Sequence, residues 1–488
     1  MYPSETAGSF SLVNRFFPCI LTLALGLSAC APVGPNYASP GIPVPDAWNA
    51  SLQAGLDKST PQIQGWWRGF NDSKLNKLIA LAETQNRDVA IAAERVEEAR
   101  AMRGIARGGL APFVGAGGRV SRERSSEALP FAKPNPTNFY DSHIDAGWEM
   151  DFVGGLRRAV EASSASLEAI EEYYHDTMVI IYAEVASSYV EYRTIQRRIS
   201  IAKSNISKQA ESVKITSGRK EAGLAPQIDV SQAESNLATS RALIPQLQTQ
   251  LAATTNRLAV LLGRYPGSVV SLLGSSDDIP NPKRSVSVGI PADLIRARPD
   301  VRAAERQLAA QTAQIGVAKA ELYPKFSLSG TFALQSIDSG DFLSSQARAY
   351  SLGPGFQWRI FEGGRIRELV RVEESRTRQA LATYEKTVLQ AVAEVETALS
   401  SIRYESARSN HLDKAVEWSE ETVTLITKNY TEGLVDFQNV LDAQRTIFAN
   451  QDAAAASEGQ YAINHIALYR ALGGGTRMQS AKAGIDKP

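Results

Sequence analysis

Three acidic residues, Asp145, Glu149 and Asp151, have the types and close spacing that could do chemistry. Neighbouring carboxylates can serve as a general acid and a general base in hydrolysis. All three occupy odd positions, however, and mostly apolar residues fill the even positions from Tyr140 to Phe152. A period of two indicates a β-strand with one acidic and one apolar face. We therefore interpret these carboxylates as the lining of a water-filled surface rather than as a catalytic site.

The histidines and cysteines offer no other chemistry. Two cysteines, both near the N-terminus, leave the body of the chain without a disulfide framework or a cysteine metal site. No glycine-rich phosphate loop with a lysine is present. Lys+Arg and Asp+Glu both number 52, so no net charge favours nucleic acid. The four histidines are scattered and form no ligand cluster: His143, His175, His411 and His465. The sequence therefore predicts a protein that is not an enzyme and that has no cofactor or metal.

A second polar set follows the pair Gly433-Leu434. Asp436, Asn439 and Asp442 are three residues apart, which places neighbours on one face of a helix. Such carboxylates either cap a helix and interact with its dipole, or form a charged site. Both interpretations stay open for Asp436, whereas the position of Asp442 deeper in the helix favours the charged site.

The elements that must position these residues occur twice. The stretch Tyr174–Gly263 recurs without gaps as Tyr384–Gly473, at an offset of 210 residues (384 − 174). Such a match indicates duplication. Each copy predicts one long helix, a Gly-Leu turn and a second helix running back. A helix of about 60 residues spans roughly 90 Å, a length that suits a tunnel or a rod.

Each half also contains a predicted β-hairpin, at 112–152 and at 324–361. The strands have about ten residues, the length that crosses a bilayer at a tilt, and aromatic residues lie toward their ends. A soluble sandwich is the alternative, but long helices separate the hairpins. Four strands are too few for a membrane barrel, since bacterial barrels begin at about eight. Three copies would give twelve strands around a channel.

The N-terminus predicts export and lipidation. A basic residue and a short apolar run precede Leu27-Ser28-Ala29-Cys30, which resembles a bacterial lipobox with Cys30 as the lipid-attachment residue. An ordinary signal peptide with an incidental cysteine is the alternative. Ala31 is not the Asp that retains bacterial lipoproteins at the inner membrane, so the outer membrane is expected.

The predicted organisation has six parts. The two repeats each contain a helix, a hairpin and a long helix pair. Between them lies an insertion that we expect to be non-helical. The parts are a signal peptide 1–29, a lipidated tether 30–71, the first repeat 72–263, an equatorial insertion 264–298, the second repeat 299–473 and a C-terminal tail 474–488.

Several motifs together resemble the TolC-like outer membrane factor family, specifically its lipoprotein branch with NodT- and OprM-like members. The resemblance covers nearly the whole chain from Cys30 to Gly473. One departure is Gly155, where that branch commonly has Arg. The motifs are Gly34-Pro35-Asn36-Tyr37, Trp148-Glu149-Met150-Asp151-Phe152, Gly289-Ile290-Pro291 through Asp300, Ile360-Phe361-Glu362-Gly363-Gly364-Arg365 and Val440-Leu441-Asp442-Ala443-Gln444-Arg445.

The resemblance implies a trimer of mixed α and transmembrane β structure. Each chain would give four strands to a twelve-stranded outer membrane β-barrel and long antiparallel helices to a periplasmic α-helical barrel, with a small equatorial mixed region. The implied function is the exit duct of a tripartite efflux or type I secretion-like system. The resemblance implies two partners, a periplasmic adaptor and an inner membrane pump of the RND type. A structural coiled-coil lipoprotein is the alternative, but it leaves the four amphipathic strands without a role.

The resemblance also implies a gate at the periplasmic turns. Asp442 matches a gating Asp and Tyr430 a gating aromatic residue, whereas Val435 stands where some members have a gating Arg. Asp229, which the offset relates to Asn439, completes the candidates with Asp436. In the barrel we expect Trp148, Met150, Phe356, Trp358 and Ile360 to face lipid, and Asp145, Glu149, Asp151, Gln357 and Arg359 to face the lumen or the barrel–tunnel junction.

Overall fold

The structure is a computed structural model. It describes residues 31–49, 56–57, 63–126, 128, 136–274, 278–282, 286–287, 289 and 291–474. The predicted signal peptide, Cys30 and residues 475–488 lie outside this part. Two units divide the described chain: one holds 31–41, Glu97–Ile170 and Ala304–Tyr384, and the other holds the remaining residues.

The first unit contains an antiparallel sheet of four strands. The strands are β1 (Phe113–Glu123), β2 (Thr137–Met150), β3 (Lys325–Ser336) and β4 (Arg348–Gln357), and this is also their order in the sheet. Ile144 lies opposite Phe332 on one face, and Asp145 lies opposite Thr331 on the other. The predicted alternation therefore continues across the sheet, with an apolar face and a polar face.

The strands end earlier than predicted, which corrects four barrel assignments, those of Asp151, Trp358, Arg359 and Ile360. Strand β2 ends at Met150 because the Asp151 carboxylate accepts hydrogen bonds from the backbone N–H groups of Leu156 and Arg157, at 3.2 and 2.9 Å. Asp151 therefore organises the start of the next helix. Arg359 lies beyond Gln357, the last residue of β4, and its guanidinium is 3.5 Å from carboxylates of Glu321 and Glu362. Trp358 and Ile360 also lie beyond Gln357, so the prediction of all four as strand residues is wrong.

The helices of each half follow one plan. In the first half they are α1 (Ser73–Gln85), α2 (Arg87–Gly108), α3 (Gly155–Glu221) and α4 (Gln227–Leu261). In the second half they are α5 (Pro299–Ala320), α6 (Arg365–Thr431) and α7 (Phe437–Ala471). Helices α3 and α6 each have 67 residues, roughly 100 Å at 1.5 Å per residue. None of the described helices combines the length and apolar character of a membrane span.

Both long helices end in the same turn. Leu224 N donates to Arg219 O at 2.8 Å, and Leu434 N donates to Asn429 O at 2.9 Å. This is the bond of a Schellman motif, which needs a left-handed residue in the turn. Gly223 and Gly433 supply it, with φ of 74° and 81°. The chain therefore reverses at equivalent positions in both halves.

Side-chain contacts repeat in the same way. Trp148 donates its indole N–H to Leu110 O at 2.9 Å, and Trp358 donates to Leu322 O at 3.1 Å. The donors are 210 residues apart and the acceptors 212, because the hairpin loop 124–136 is two residues longer than the loop 337–347. The duplication is thus present in contacts as well as in sequence.

The second unit has its core around α1. Trp66, Phe70 and the buried face of α1 pack with residues of α3, α4 and α7. Arg193, almost fully buried in α3, donates to Leu273 O at 2.6 Å and to the Tyr189 hydroxyl. These bonds attach the predicted insertion to α3. The insertion is not wholly non-helical: it contains helices Val270–Leu273 and Pro291–Ala297, the second starting on a proline as first helical turns allow.

Candidate functional site

The Gly-Leu turns of the two repeats meet at Arg219. Its guanidinium donates to Thr431 O at 2.8 Å and lies 4.9 Å from the ring centroid of Tyr430. Burial raises the pKa of the Asp229 carboxyl, and the negative charge of Asp436 raises it further. The positive charge of Arg219 opposes this shift, so both side chains act on Asp229. Arg219 thus contacts Tyr430 and acts on Asp229, and Asp229 in turn interacts with Asp436; we call these four residues the turn cluster.

An apolar layer lies beneath the turn cluster. The rings of Tyr430 and Phe437 are 5.3 Å apart, and both pack with Ala233, Val440 and Leu441. The Tyr430 hydroxyl is buried and has no hydrogen-bond partner in the described part of the chain. A buried polar group without a partner costs about 1–3 kcal/mol. The layer holds the turns together, and the hydroxyl is a polar atom that a partner outside this chain could satisfy.

The other two gate candidates lie apart from these contacts. Asp442 is exposed and accepts a bond from the Gln438 side chain at 3.1 Å. Asn439 is exposed and donates to Asp436 O at 3.4 Å. Asp436 occupies the N-cap position of α7, but its side chain makes no capping bond. A capping role therefore does not explain Asp436, and its carboxylate is available to the turn cluster.

Sequence reasoning missed Arg219. Its repeat equivalent is Asn429, so the duplication gave no signal for it. The position of a cation in the last turn of a helix next to a Gly-Leu turn was the available signal, since such positions favour basic residues. Val435 stands where some members have a gating Arg, and Arg219 supplies a cation to the same pair of turns.

The polar face of the sheet contains one histidine that sequence reasoning set aside. His143 lies between two carboxylates, with Nδ1 2.5 Å from Asp141 and Nε2 3.3 Å from Asp145. Gly117 on β1 leaves space for the ring, since a Cβ there would stand 2.6 Å from Nε2. Glu149 and Gln357 lie on the same face, opposite Ser327 and Lys325.

The segment after Cys30 is held by a buried arginine. The Arg158 side chain, 3% exposed, donates to Val33 O at 3.0 Å, to Pro32 O and Gly34 O at 3.3 Å, and to the Asn36 side chain at 2.7 Å. Gly34 also lies directly on α5, because a Cβ there would stand 2.5 Å from Cα of Gly316. Residues 32–36 are therefore fixed beside the junction of β2 and α3.

A second buried arginine, Arg298, lies between the helix Pro291–Ala297 and α5 and contacts the end of α7. Arg298 donates to Ala471 O at 2.7 Å and to the carboxylates of Asp300 and Glu394 at 2.7 and 2.8 Å. The charges of Arg298, Asp300 and Glu394 also act on Asp176. Burial is the main cause that raises the pKa of Asp176 to about 6, and the negative charge of Asp300 is the second. In the first repeat Asn86 makes the equivalent bond to Leu261 O at 2.8 Å. No group of three His, Cys, Asp or Glu side chains suited to a metal ion occurs in the described residues.

A sheet with two open edges cannot stay unpaired in lipid. The fold and its two-faced sheet therefore define a channel protein of the outer membrane type, which completes its barrel with further copies of itself. The chain belongs to the family described as outer membrane efflux protein, which it matches over residues 78–264 and 290–474. The two matched ranges fall on the two repeats.

Individual relatives agree with this assignment. The chain is 35% identical to Nodulation protein T of Rhizobium leguminosarum bv. viciae, over 95% of this chain and 94% of the relative. It is 30% identical to the pyoverdine export outer membrane protein OpmQ of Pseudomonas putida, over 95% of this chain and 98% of the relative. Among solved structures, the outer-membrane channel OprN is 34% identical with a TM-score of 0.86, covering 91% of this chain and 99% of that one.

These comparisons confirm the predicted fold, location and general function. The protein is a trimeric outer membrane channel with a twelve-stranded β-barrel and an α-helical barrel, and it extends into the periplasm. It is the outer membrane exit duct of an efflux system, and members of the family work with an adaptor and an inner membrane pump. The coiled-coil spacer alternative is not supported, because it leaves the sheet without a function.

Proposed function

We propose that this chain is a passive duct whose periplasmic mouth is closed by the turn cluster. The adaptor contacts the periplasmic end, and the pump is of the RND type. The likeness to relatives named as pump components supports this, among them the toluene efflux pump outer membrane protein TtgF of Pseudomonas putida, at 29% identity. No nucleic acid, cofactor or catalytic residue takes part.

The meeting of the two Gly-Leu turns at Arg219 is the observation that carries the gate. Arg219 belongs to the first repeat, while Thr431 and Tyr430 belong to the second, so these contacts close one turn upon the other. Asp229 and Asp436 repel each other, and the cation of Arg219 offsets that repulsion. In this proposal the Arg219 side chain and the apolar layer beneath it together keep the mouth closed. Asn439 and Asp442, exposed one and two turns beyond Asp436, line the entrance in this proposal.

Replacing Arg219 by leucine is expected to open the mouth. The variant loses a charged hydrogen bond and a cation–π contact, together about 2 kcal/mol, which changes an equilibrium roughly thirtyfold. The open fraction should rise, and single-channel conductance in planar bilayers should rise with it. Cation preference should persist, because the Asp229 and Asp436 carboxylates remain.

Arg241→Leu is the matched control, since Arg241 is an exposed arginine of α4 away from the turns. Its conductance should equal that of the original protein. If Arg219→Leu forms intact trimers with unchanged conductance, the turn cluster is not the gate, although the protein would remain an exit duct.

We further propose that the mature chain begins at lipidated Cys30. Cys30 lies outside the described residues, but the residues that follow it are fixed by Arg158 beside the sheet, where an anchor would reach the membrane. Acyl chains contribute about 0.8 kcal/mol for each buried CH₂, so several chains anchor stably. The intact mass should correspond to a chain starting at Cys30 with diacylglycerol and an acyl group. An unmodified chain starting elsewhere would contradict this.

The polar face of the sheet lines the barrel lumen in this proposal. Asp145, Glu149 and Gln357 then contact water, and Asp151 and Arg359 lie at the junction with the helices. Single cysteines at Glu149 and Gln357 should react with a water-soluble thiol reagent, and a cysteine at Trp148 on the other face should be protected. Equal protection of all three positions would contradict this assignment.

A further inference from the structure

The apolar face of the sheet carries an arginine on each edge strand, at the end where the hairpin tips lie. Arg122 follows Val120 on this face of β1, since side chains alternate along a strand, and it lies opposite Asn138. Arg348, the first residue of β4, lies opposite Leu334 on the same face. Both arginine side chains are exposed. A cation therefore ends the apolar pattern on both strands.

Neither of these side chains has an ion pair with another residue of the described chain. Arg119, on the polar face of β1, differs: it lies 3.4 Å from the Glu123 carboxylate and 5.6 Å from the ring centroid of Phe139. On the lipid-facing side of a barrel, arginine is costly at mid-membrane and tolerated at the level of the lipid headgroups. Arg122 and Arg348 thus indicate that this end of the face lies at headgroup level.

Aromatic and apolar side chains accompany the arginines. Tyr350, the next residue after Arg348 on this face of β4, is 85% exposed. The ring centroids of Tyr140 on β2 and Phe342 in the second hairpin loop lie 6.2 Å apart, and the neighbouring Leu343 is 81% exposed. Tyrosine is enriched where a membrane meets water, with its ring toward the lipid and its hydroxyl toward the headgroups. The tip end of the face therefore offers contacts to both parts of a lipid.

The other end of this face, next to the helices, is different. There the strands β1–β4 present aromatic residues and no lysine or arginine: Trp148, Phe326 and Phe356. The cations are confined to the interface away from the periplasmic helices, which is the outer leaflet. Their distribution matches an anionic group in that leaflet rather than a general affinity for membranes.

The closed barrel brings the two arginines together. They lie on β1 and β4, the two edges of the sheet, which pair between copies in the twelve-stranded barrel. Neighbouring strands are about 4.8 Å apart. Arg348 begins β4 and Arg122 is the last residue but one of β1, so both are at the tip end. Arg348 of one copy is therefore close to Arg122 of the next, and two neighbouring cations favour an anion between them.

We propose that each boundary between two copies binds the phosphate group of an outer leaflet lipid, between Arg348 of one copy and Arg122 of the next. A guanidinium donates paired N–H groups to phosphate oxygens, which makes arginine well suited to this ligand. Tyr350 lies beside the headgroup and Leu343 contacts an acyl chain. The site rests on the proposal that the polar face lines the lumen, because the arginines reach lipid only if the opposite face does.

Native mass spectrometry of the trimer in detergent tests the site, with dioleoyl phosphatidic acid as the probe. The original protein should bind one such lipid at each boundary. Arg122→Leu and Arg348→Leu should each weaken the binding about tenfold, through the loss of a charge-assisted contact. Leucine is compatible with a lipid-facing position, so both variants should remain trimeric. Arg122→Lys, which keeps the charge without the paired donors, should bind with intermediate affinity.

Arg119→Leu is the matched control, because Arg119 lies on the same strand as Arg122 and on the opposite face. Its binding of phosphatidic acid should equal that of the original protein. Weaker binding in Arg119→Leu with unchanged binding in Arg122→Leu would mean that the two faces are reversed, and the proposed lumen lining would fail as well. Unchanged binding in both Arg122→Leu and Arg348→Leu, with cysteines at Trp148 and Glu149 reacting as expected, would overturn the phosphate site alone.

Two further ligands separate a lipid from a free anion. Dioleoylglycerol has the same acyl chains without the phosphate, and it should bind the original protein about as weakly as phosphatidic acid binds the arginine variants. Inorganic phosphate in excess should leave the bound lipid in place, since it makes no contact with Tyr350 or Leu343. Displacement of the lipid by inorganic phosphate would assign the arginines to a free anion and overturn the lipid site.

Discussion

Arg298→Ala is expected to lower the free energy of unfolding by about 3 kcal/mol, the lower end of the range for breaking a buried ion pair. The lower end applies because Arg298 is 8% exposed while Glu394 is 48% exposed. The variant leaves the Asp300 carboxylate without its cation, and of the two arginines that lower the pKa of Asp176 only Arg470 remains. It also removes the hydrogen-bond donor to the carbonyl oxygen of Ala471, the last residue of α7.

The loss of unfolding free energy in Arg298→Ala should depend on pH. Burial already raises the pKa of Asp176 to about 6, above its ordinary value of 3.8. A raised folded-state pKa means that the folded protein keeps this proton between these values, so Asp176 costs stability increasingly as pH rises through this window. Without Arg298 the charged form is less favourable still. The destabilisation should therefore be larger at pH 7 than at pH 4.

Chemical denaturation of the detergent-solubilised protein at both pH values provides the measurement. Arg257→Ala is a matched control, because Arg257 is 59% exposed in its ion pair with Glu191. Exposed pairs contribute about 0–1 kcal/mol, so this variant should unfold almost like the original. Equal effects of the two substitutions would show that the Arg298 contacts add no stability beyond an ordinary surface pair.

Arg158→Ala is expected to release the N-terminal segment from the body of the protein. Arg158 holds three backbone carbonyls and the Asn36 side chain, and alanine replaces none of these bonds. Charged hydrogen bonds contribute about 1.5–3 kcal/mol each, and a net loss of about 2 kcal/mol raises the free fraction roughly thirtyfold. Cleavage by chymotrypsin after Tyr37 should accelerate by a similar factor, since proteolysis follows the open population.

Mass spectrometry of the released N-terminal peptide measures this rate. Tyr37 is also held by Glu305, to which its hydroxyl donates at 2.9 Å, and that bond remains in the variant. Arg257→Ala again serves as the control and should leave the rate unchanged. An unchanged rate in Arg158→Ala would mean that Tyr37 and Gly34 hold the segment without the arginine.

The repeat offset predicted most of the fold, because the duplicated turns and hairpins follow directly from matched residues. The limits of the strands were harder to predict. Asp151 continues the acidic alternation of Asp145 and Glu149, yet its carboxylate accepts the first N–H groups of α3. An acidic residue suits both a polar strand face and a helix start, so alternation alone could not distinguish them.

Arg158 and Arg219 could not be predicted from the sequence, for another reason. Arg158 binds backbone carbonyls, which any sequence provides, so no pattern of side chains marks its partners. Arg219 contacts the other repeat, some 212 residues away in sequence. Asp229, Tyr430 and Asp436 were predicted from spacing and resemblance, whereas the cation that brings them together depends on how the helices pack.

The repeat offset is 212 residues before the hairpin tips and 210 after them. This difference indicates where the chain can be modified. The halves agree residue by residue on both sides of the hairpin tips, and their lengths differ only within the loops 124–136 and 337–347. A length change elsewhere would shift a strand by one or more residues, and a single-residue shift exchanges the two faces of the sheet. The hairpin tips are thus the natural places for an affinity tag, a fluorophore or a displayed peptide. Such insertions would report from the end of the sheet opposite the helices without altering any of the pairings between strands.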